Sequence, residues 1–265
     1  MAVHRQIPLP IDEFLPSLQA MLKSKSSLVL TAPPGSGKTT RVPPAVARCV
    51  SGRVILLQPR RVAARACAKR IAWEQGTQVG DGVGYWVRFD RKVSDATKIE
   101  VLTEGLLTRL LQADPFLEGV DAVILDEFHG RSLHSDMALA LLAEVQRDVR
   151  PDLKIVVMSA TLEAKPVQRF LGGDEACPMI RAEGRVFPVD CVHQAKDTDR
   201  RLESQVAAIV REAAETDPSG HVLVFLPGVG EIERVRQHLS GSGLHVLPLH
   251  GRLSATDQDL SLIHI

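Results

Sequence analysis

The run Ser27-Leu28-Val29-Leu30-Thr31 is followed at once by Ala32-Pro33-Pro34-Gly35-Ser36-Gly37-Lys38-Thr39-Thr40. A strand, a glycine-rich turn and a helix in immediate succession constrain the chain more than any other feature. Backbone N–H groups from Gly35, Ser36, Gly37, Lys38, Thr39 and Thr40 can cradle a triphosphate at the positive end of the helix. Gly35 and Gly37 allow positive φ and close approach of phosphate oxygens. Pro33 and Pro34 have no N–H and can only shape the approach. Lys38 is placed to reach the β- and γ-phosphates, and the Thr39 hydroxyl to ligate Mg²⁺. Ala32 stands where the general pattern has its first glycine, so this segment alone still admits a glycine-rich turn of some other α/β protein.

A second segment narrows the choice. In Asp121-Ala122-Val123-Ile124-Leu125-Asp126-Glu127 an apolar run delivers two carboxylates at a strand's C-terminal end. Open α/β sheets place their ligands there. Asp126 is expected in the Mg²⁺ shell, and Glu127 is expected to orient and deprotonate the attacking water. An isolated acidic pair reads as a solvated strand end; beside a phosphate loop it reads as the other half of an ATP site.

The remaining strand-like runs fall at residues 54–58, 98–103, 122–126 and 154–159, each short and rich in Val, Ile or Leu, with helical pattern between them. That alternation predicts an α/β fold, a mostly parallel sheet with helices on both faces. An amphipathic helix is expected over 11–22, and Pro43-Pro44 should break or kink the helix after the phosphate loop. The helix after Pro59 sets Ala63, Cys67 and Ile71 on one face and Arg61, Arg65 and Lys69 on the other, while the helix from Thr103 buries Leu106, Leu107, Leu110 and Leu111. A Gly- and Pro-containing stretch at 172–184 suggests a boundary, with domains at 1–175 and 176–265. In the second region strands are expected at 186–193, 222–226 and 244–249, with helices that hold Leu202, Val206 and Ile209, and Ile232, Val235 and Leu239, in phase.

Composition excludes more than it assigns. With 32 basic and 32 acidic residues the charge balances, so a nucleic-acid surface must be local. Cys49, Cys67, Cys177 and Cys191 lie far apart without a C-x-x-C pair, which favours reduced thiols in a cytoplasmic protein over a zinc cluster. His129, His134, His245 and His250 show no metal-ligand spacing. The first fourteen residues carry Pro8, Pro10 and charges where a signal peptide would be apolar, and no stretch is long and apolar enough to span a bilayer.

In order along the chain stand the phosphate loop, Gln58-Pro59-Arg60-Arg61-Val62-Ala63-Ala64, Gly84-Tyr85-Trp86-Val87-Arg88-Phe89, Thr103-Glu104-Gly105, Asp126-Glu127-Phe128-His129 and Ser159-Ala160-Thr161. Gly184-Arg185-Val186-Phe187-Pro188-Val189, Phe225-Leu226-Pro227-Gly228 and Leu249-His250-Gly251 follow. This ordered set resembles the DEAH/RHA class of superfamily 2 helicases, most closely the N-terminal portion of the bacterial HrpB type. The resemblance implies two RecA-like domains, the second incomplete here, with ATP between them and single-stranded nucleic acid, RNA rather than DNA, across both. It implies backbone contacts from Arg60, Arg61 and Thr103, and from His250 and Gly251 in the second domain; such contacts position a strand without reading its sequence. By the same resemblance His129 couples the ATP site to the other domain, and Ser159 and Thr161 link hydrolysis to strand separation. Arg65 and Lys69 read as a solvated helix face.

Two departures bear on activity. Gly130 follows His129 where relatives usually carry Glu, and nothing resembles the Gln-x-x-Gly-Arg-x-Gly-Arg segment that supplies arginine fingers. In related P-loop enzymes a trans arginine contributes roughly 10³ to 10⁵ in rate. The expected activity is therefore ATP hydrolysis coupled to RNA unwinding or remodelling in the complete form. The alternatives are a nucleotide-dependent single-strand-binding module without turnover, and a P-loop ATPase of another superfamily.

Overall fold

Alternation of side chains along apolar strands decides the architecture. In the computed structural model, which describes residues 7–160, 164–183, 188–194, 201–254 and 257–258, the strands are β1 (Ser27–Thr31), β2 (Arg53–Gln58), β3 (Val83–Val87), β4 (Asp90–Lys92), β5 (Ile99–Thr103), β6 (Val120–Leu125), β7 (Lys154–Ser159) and β8 (Met179–Arg181). They form one sheet in the order β4-β3-β5-β2-β6-β7-β1-β8, parallel except for the β3–β4 pair. Leu28, Leu30, Val54 and Leu56 point to one face, and Val29, Ile55 and Leu57 to the other. Strands buried on both faces need helices on both faces.

On the first face lie α1 (Leu15–Ser24), α2 (Lys38–Ala47) and α3 (Arg61–Glu74), which contribute Leu18, Leu22, Val42, Val46, Cys67 and Ile71 to the core. On the second lie α4 (Glu104–Ala113), α5 (Leu133–Asp148) and α6 (Lys165–Phe170), with Leu107, Leu111, Leu139, Leu142 and Val167; a short α7 (Gly173–Ala176) follows. Because every strand but β4 runs the same way, the loops after β1, β2, β5, β6 and β7 leave the same edge of the sheet.

Several expectations change. Of the break or kink expected at Pro43-Pro44, the break does not occur, since α2 runs on to Ala47. Pro43 cannot donate to the Thr39 carbonyl, but the Cys67 sulfur lies 3.8 Å from that oxygen, and Val42, Pro43, Ala45 and Val46 are buried against the sheet. Packing offsets the missing helical bonds. Strand β8 pairs in parallel with β1, so residues beyond 175 still belong to the first sheet, and the chain divides into compact units at Met1–Phe187 and Pro188–Ile265. Arg65 is not simply solvated: its Nε donates to Asp90 Oδ2 at 2.9 Å, and Tyr85 Oη donates to the same oxygen at 3.0 Å.

The second unit contains α8 (Leu202–Thr216) and α9 (Val229–His238), packed through Ala207, Val210, Val235 and Leu239. Leu202 and Ile209 remain exposed while Glu203 is buried and bonded to Arg234 Nε at 2.6 Å, so the inward face of α8 is one residue out of phase with the expected one. Residues 222–226 and 244–249 are not strands, and neither are 188–193. A strand exists only as a member of a ladder, and these segments have no ladder partner among the described residues. Residues 186 and 187 of the expected first strand lie outside the described residues.

Leu56 is fully buried at the centre of β2. Leu56→Ala is expected to destabilise the first unit by about 3 kcal/mol, read as a lower denaturant midpoint with unchanged slope. Both tryptophans, Trp73 and Trp86, report on this unit. An unchanged midpoint would contradict the two-faced core.

Candidate functional site

The site is built at the edge where β1, β2, β6 and β7 end. After β1 the loop turns through Gly35 at φ 76° and Gly37 at φ 92°, left-handed conformations that glycine adopts without strain. A Cβ on Gly37 would come within 2.5 Å of Leu9 Cδ1. The segment before α1 is tied to the back of the loop, with Ile11 N–H donating to the Ser36 carbonyl at 3.1 Å. Helix α2 begins at Lys38; the Lys38 and Thr39 N–H groups have no helical acceptor, while those of Thr40 and Arg41 donate to the Gly37 carbonyl at 3.2 and 3.0 Å.

Residues from distant parts of the chain meet there. Thr39 Oγ1 donates to Asp126 Oδ2 at 2.6 Å, Gln58 Nε2 donates to the same oxygen at 2.7 Å, and the Glu127 N–H donates to Asp126 Oδ1 at 2.8 Å. Burial pushes the Asp126 carboxyl above the usual carboxylate range, opposed by the hydrogen bond from Thr39. Lys38, itself buried, places Nζ 2.9 Å from Glu127 Oε1. Glu127 sits at φ 53°, ψ 33°, a conformation unusual for a residue with a side chain. His129 Nε2 lies 3.2 Å from Glu127 Oε2, while its Nδ1 accepts the Ala160 N–H at 3.2 Å. With Nδ1 accepting, Nε2 is the ring donor toward Glu127. The Ala32 N–H donates to the Ser159 carbonyl at 3.0 Å, so the entrance to the loop is fixed to the end of β7.

The sequence-predicted residues therefore fall into two groups. Lys38, Thr39, Asp126, Glu127 and His129 are brought into one hydrogen-bonded cluster, with Gly35, Gly37 and Thr40 lining the adjoining pocket. Buried Ser36 completes the loop. Arg60 and Arg61 stand exposed at the start of α3, and Thr103 ends β5 in register with Gln58. Ser159 is buried at the end of β7, and Thr161 lies outside the described residues. In the second unit Gly251 is exposed, and His250 Nδ1 accepts the Arg252 N–H at 3.3 Å.

Sequence reasoning missed Gln58 as a partner of Asp126, and missed Leu9, Arg70 and Glu74, which line the pocket. Arg70 Nε donates to Glu74 Oε1 at 2.7 Å and its guanidinium lies 4.8 Å from the Trp73 ring centroid. Glu74 also faces buried Arg41 of α2, with Nη1 to Oε2 at 3.5 Å. The Arg70–Glu74 spacing of four residues was the available signal for that pair; Leu9 had none, because its contact is tertiary.

The loop's chemistry suits a phosphate and a hard cation. Thr39 and Asp126 present oxygen donors side by side, as Mg²⁺ requires, and the buried Ser36 hydroxyl has no hydrogen-bond partner among the described residues.

Residues 15–170 match the DEAD/DEAH box helicase family. The chain is 43% identical over 260 residues to the ATP-dependent RNA helicase HrpB of Escherichia coli strain K12, covering 96% of this chain and 32% of that protein. It is 35% identical over 266 residues to the human probable ATP-dependent RNA helicase DHX34, covering 95% of this chain and 23% of that protein. The crystal structure of Escherichia coli DEAH/RHA helicase HrpB superposes with a TM-score of 0.88 at 42% identity, over 97% of this chain and 33% of that one. The chain thus spans a third or less of the length of these relatives. The family match extends over more than half of its residues, and the chain belongs to the DEAD/DEAH box helicase family.

Proposed function

We propose that this chain binds Mg-ATP on the loop after β1 and forms part of an ATP-dependent RNA helicase. The observation that carries the reading is the Thr39–Asp126 contact at 2.6 Å beside the Lys38–Glu127 pair at 2.9 Å. A phosphate loop and an acidic strand end, 87 residues apart in sequence, share one cluster. In this reading Met1–Phe187 is the ATP-binding RecA-like domain and the second unit begins another. The relatives named above as ATP-dependent RNA helicases support the choice of activity and of RNA over DNA. Four free cysteines fit a cytoplasmic setting, and among the described residues no helix is long and apolar enough to cross a membrane.

The residues have separable tasks. Backbone N–H groups of the Gly35–Thr40 loop hold the phosphates, those of Ser36 and Thr40 being engaged at 3.3 and 3.2 Å by the Pro33 and Gly37 carbonyls, with Thr39 and Asp126 as the oxygen donors for Mg²⁺. That cation, when bound, neutralises charge on the β- and γ-phosphate oxygens. The Lys38 ammonium turns from Glu127 Oε1 toward the phosphates, and Oε1 then takes the proton of the attacking water. His129 keeps the other oxygen in place and, through Ala160, ties Glu127 to the loop after Ser159. Arg60, Arg61 and Thr103, at the ends of adjacent strands, make the backbone contacts to the nucleic acid, joined by His250 and Gly251 of the second unit.

Steady-state ATP hydrolysis with and without single-stranded RNA tests the chemistry. Whatever RNA-stimulated turnover the wild-type chain shows without the finger segment is expected to fall to background in Glu127→Gln while nucleotide binding persists. Retained stimulation in that variant would sink the assignment, and nucleotide-dependent RNA affinity with wild-type turnover already at background would favour a binding module. For the arginines, Arg60→Ala or Arg61→Ala is expected to weaken binding of single strands of any sequence and to lower the salt slope by about 0.7 each. Sequence-selective losses would contradict backbone contact.

A further inference from the structure

Asp126 is held by three donors, and two of them, Thr39 and the Glu127 N–H, belong to residues already given tasks. The third is Gln58, a residue 3% exposed whose Nε2 lies 2.7 Å from Asp126 Oδ2. A carboxylate offers only acceptors, so the amide must turn its NH₂ toward it. When Thr39 Oγ1 serves a cation, Gln58 is the side chain left to fix the orientation of Oδ2. Partners of this kind, which touch a ligating carboxylate but not the metal, set its geometry.

Gln58 is also the last residue of β2. Its backbone is in register with Thr103 of β5 on one side, and on the other the Asp126 N–H donates to the Leu57 carbonyl at 3.2 Å. Beyond it come Pro59, Arg60 and Arg61. Two peptide units separate the Cα atoms of Gln58 and Arg60, about 7 Å at full extension, and the fixed φ of Pro59 removes slack between them. A shift at Arg60 therefore reaches Gln58 instead of being absorbed in a loop.

We propose that Gln58 is a positioning residue that holds Asp126 for a divalent cation and ties that carboxylate to the strand end bearing Arg60 and Arg61. Nucleic-acid contact at the arginines then changes cation affinity, and by linkage the reverse also holds. The inference rests on the assignment of Thr39 and Asp126 to a Mg-nucleotide.

The test is binding of a fluorescent ATP analogue to the full chain, titrated with Mg²⁺ in the presence and absence of oligouridylate. Gln58→Met keeps the side-chain length and removes the donor, Gln58→Glu keeps the shape and adds a second carboxylate, and Asp126→Asn is the reference. The half-saturating Mg²⁺ concentration is expected to rise about 10-fold in Gln58→Met and further in Gln58→Glu. In EDTA the affinity of Gln58→Met for the analogue should stay at the wild-type level. Oligouridylate should lower the Mg²⁺ requirement of the wild type and not that of Gln58→Met. An unaltered requirement in both Gln58 variants, with a raised one in Asp126→Asn, overturns the positioning role and leaves the nucleotide site standing. An unaltered requirement in Asp126→Asn as well overturns the assignment beneath it. An oligouridylate effect missing from the wild type, or persisting in Gln58→Met, removes the tie to the arginines. If Gln58→Met fails to fold, Gln58→Glu carries the same comparison, with its fold checked by tryptophan emission.

Discussion

The carboxylate of Asp126 is where the first unit is tied together at its working edge. It accepts from Thr39 at the start of α2, from Gln58 at the end of β2 and from the next backbone N–H, so elements far apart in sequence converge on two oxygen atoms. Such convergence is available because β1, β2 and β6 are parallel and end on one edge. Burial alone would favour a neutral acid there, and the donors from Thr39 and Gln58 oppose that. The oxygen donors proposed for a cation and the loop proposed for a phosphate are thus adjacent by topology, before any ligand is considered.

Around this point the structure is held by pairs that would be costly to break singly. Arg41 and Glu74 are both buried, and their contact joins α2 to α3 behind the phosphate loop. Glu74 also accepts from Arg70 Nε at 2.7 Å, and Arg41 also faces Asp12 at 3.7 Å, so the loop's support is a network of charges in which each buried group keeps more than one partner. Glu127 shows the opposite economy: its left-handed backbone is a conformation costing about 1 kcal/mol or more. In exchange its side chain lies between Lys38 and His129. Through His129 and the Ala160 N–H the same side chain is connected to the end of β7.

Much of the fold and the site's skeleton was legible in the sequence, because the signals are local. The apolar runs that became β1, β2, β5, β6 and β7 were visible as short Val-, Ile- and Leu-rich segments, and the loop and acidic pair as residue types in a fixed order. What escaped is tertiary. Strands β4 and β8 are only three residues each, β8 is a strand only because β1 lies beside it, and β3 carries Gly84, Tyr85 and Trp86 in place of an aliphatic run. Helix α2 survives Pro43 and Pro44 through packing that no local pattern records. The strands expected at 222–226 and 244–249 had the right residue types, yet residue type does not supply a ladder partner. Gln58 was visible only as part of a motif; its contact with Asp126 spans 68 residues. Arg70, Glu74 and Leu9 enter the pocket in the same way, by folding and not by spacing.

The central claim is that Lys38 and the acidic pair form a triphosphate site. The most direct measurement is the affinity of a non-hydrolysable ATP analogue for the wild-type chain and for Lys38→Ala, by titration calorimetry in saturating Mg²⁺. The account predicts clear binding by the wild type and a loss of at least about 10-fold in the variant, equivalent to about 1.4 kcal/mol. Equal affinity in the two proteins, with both folded, would contradict it.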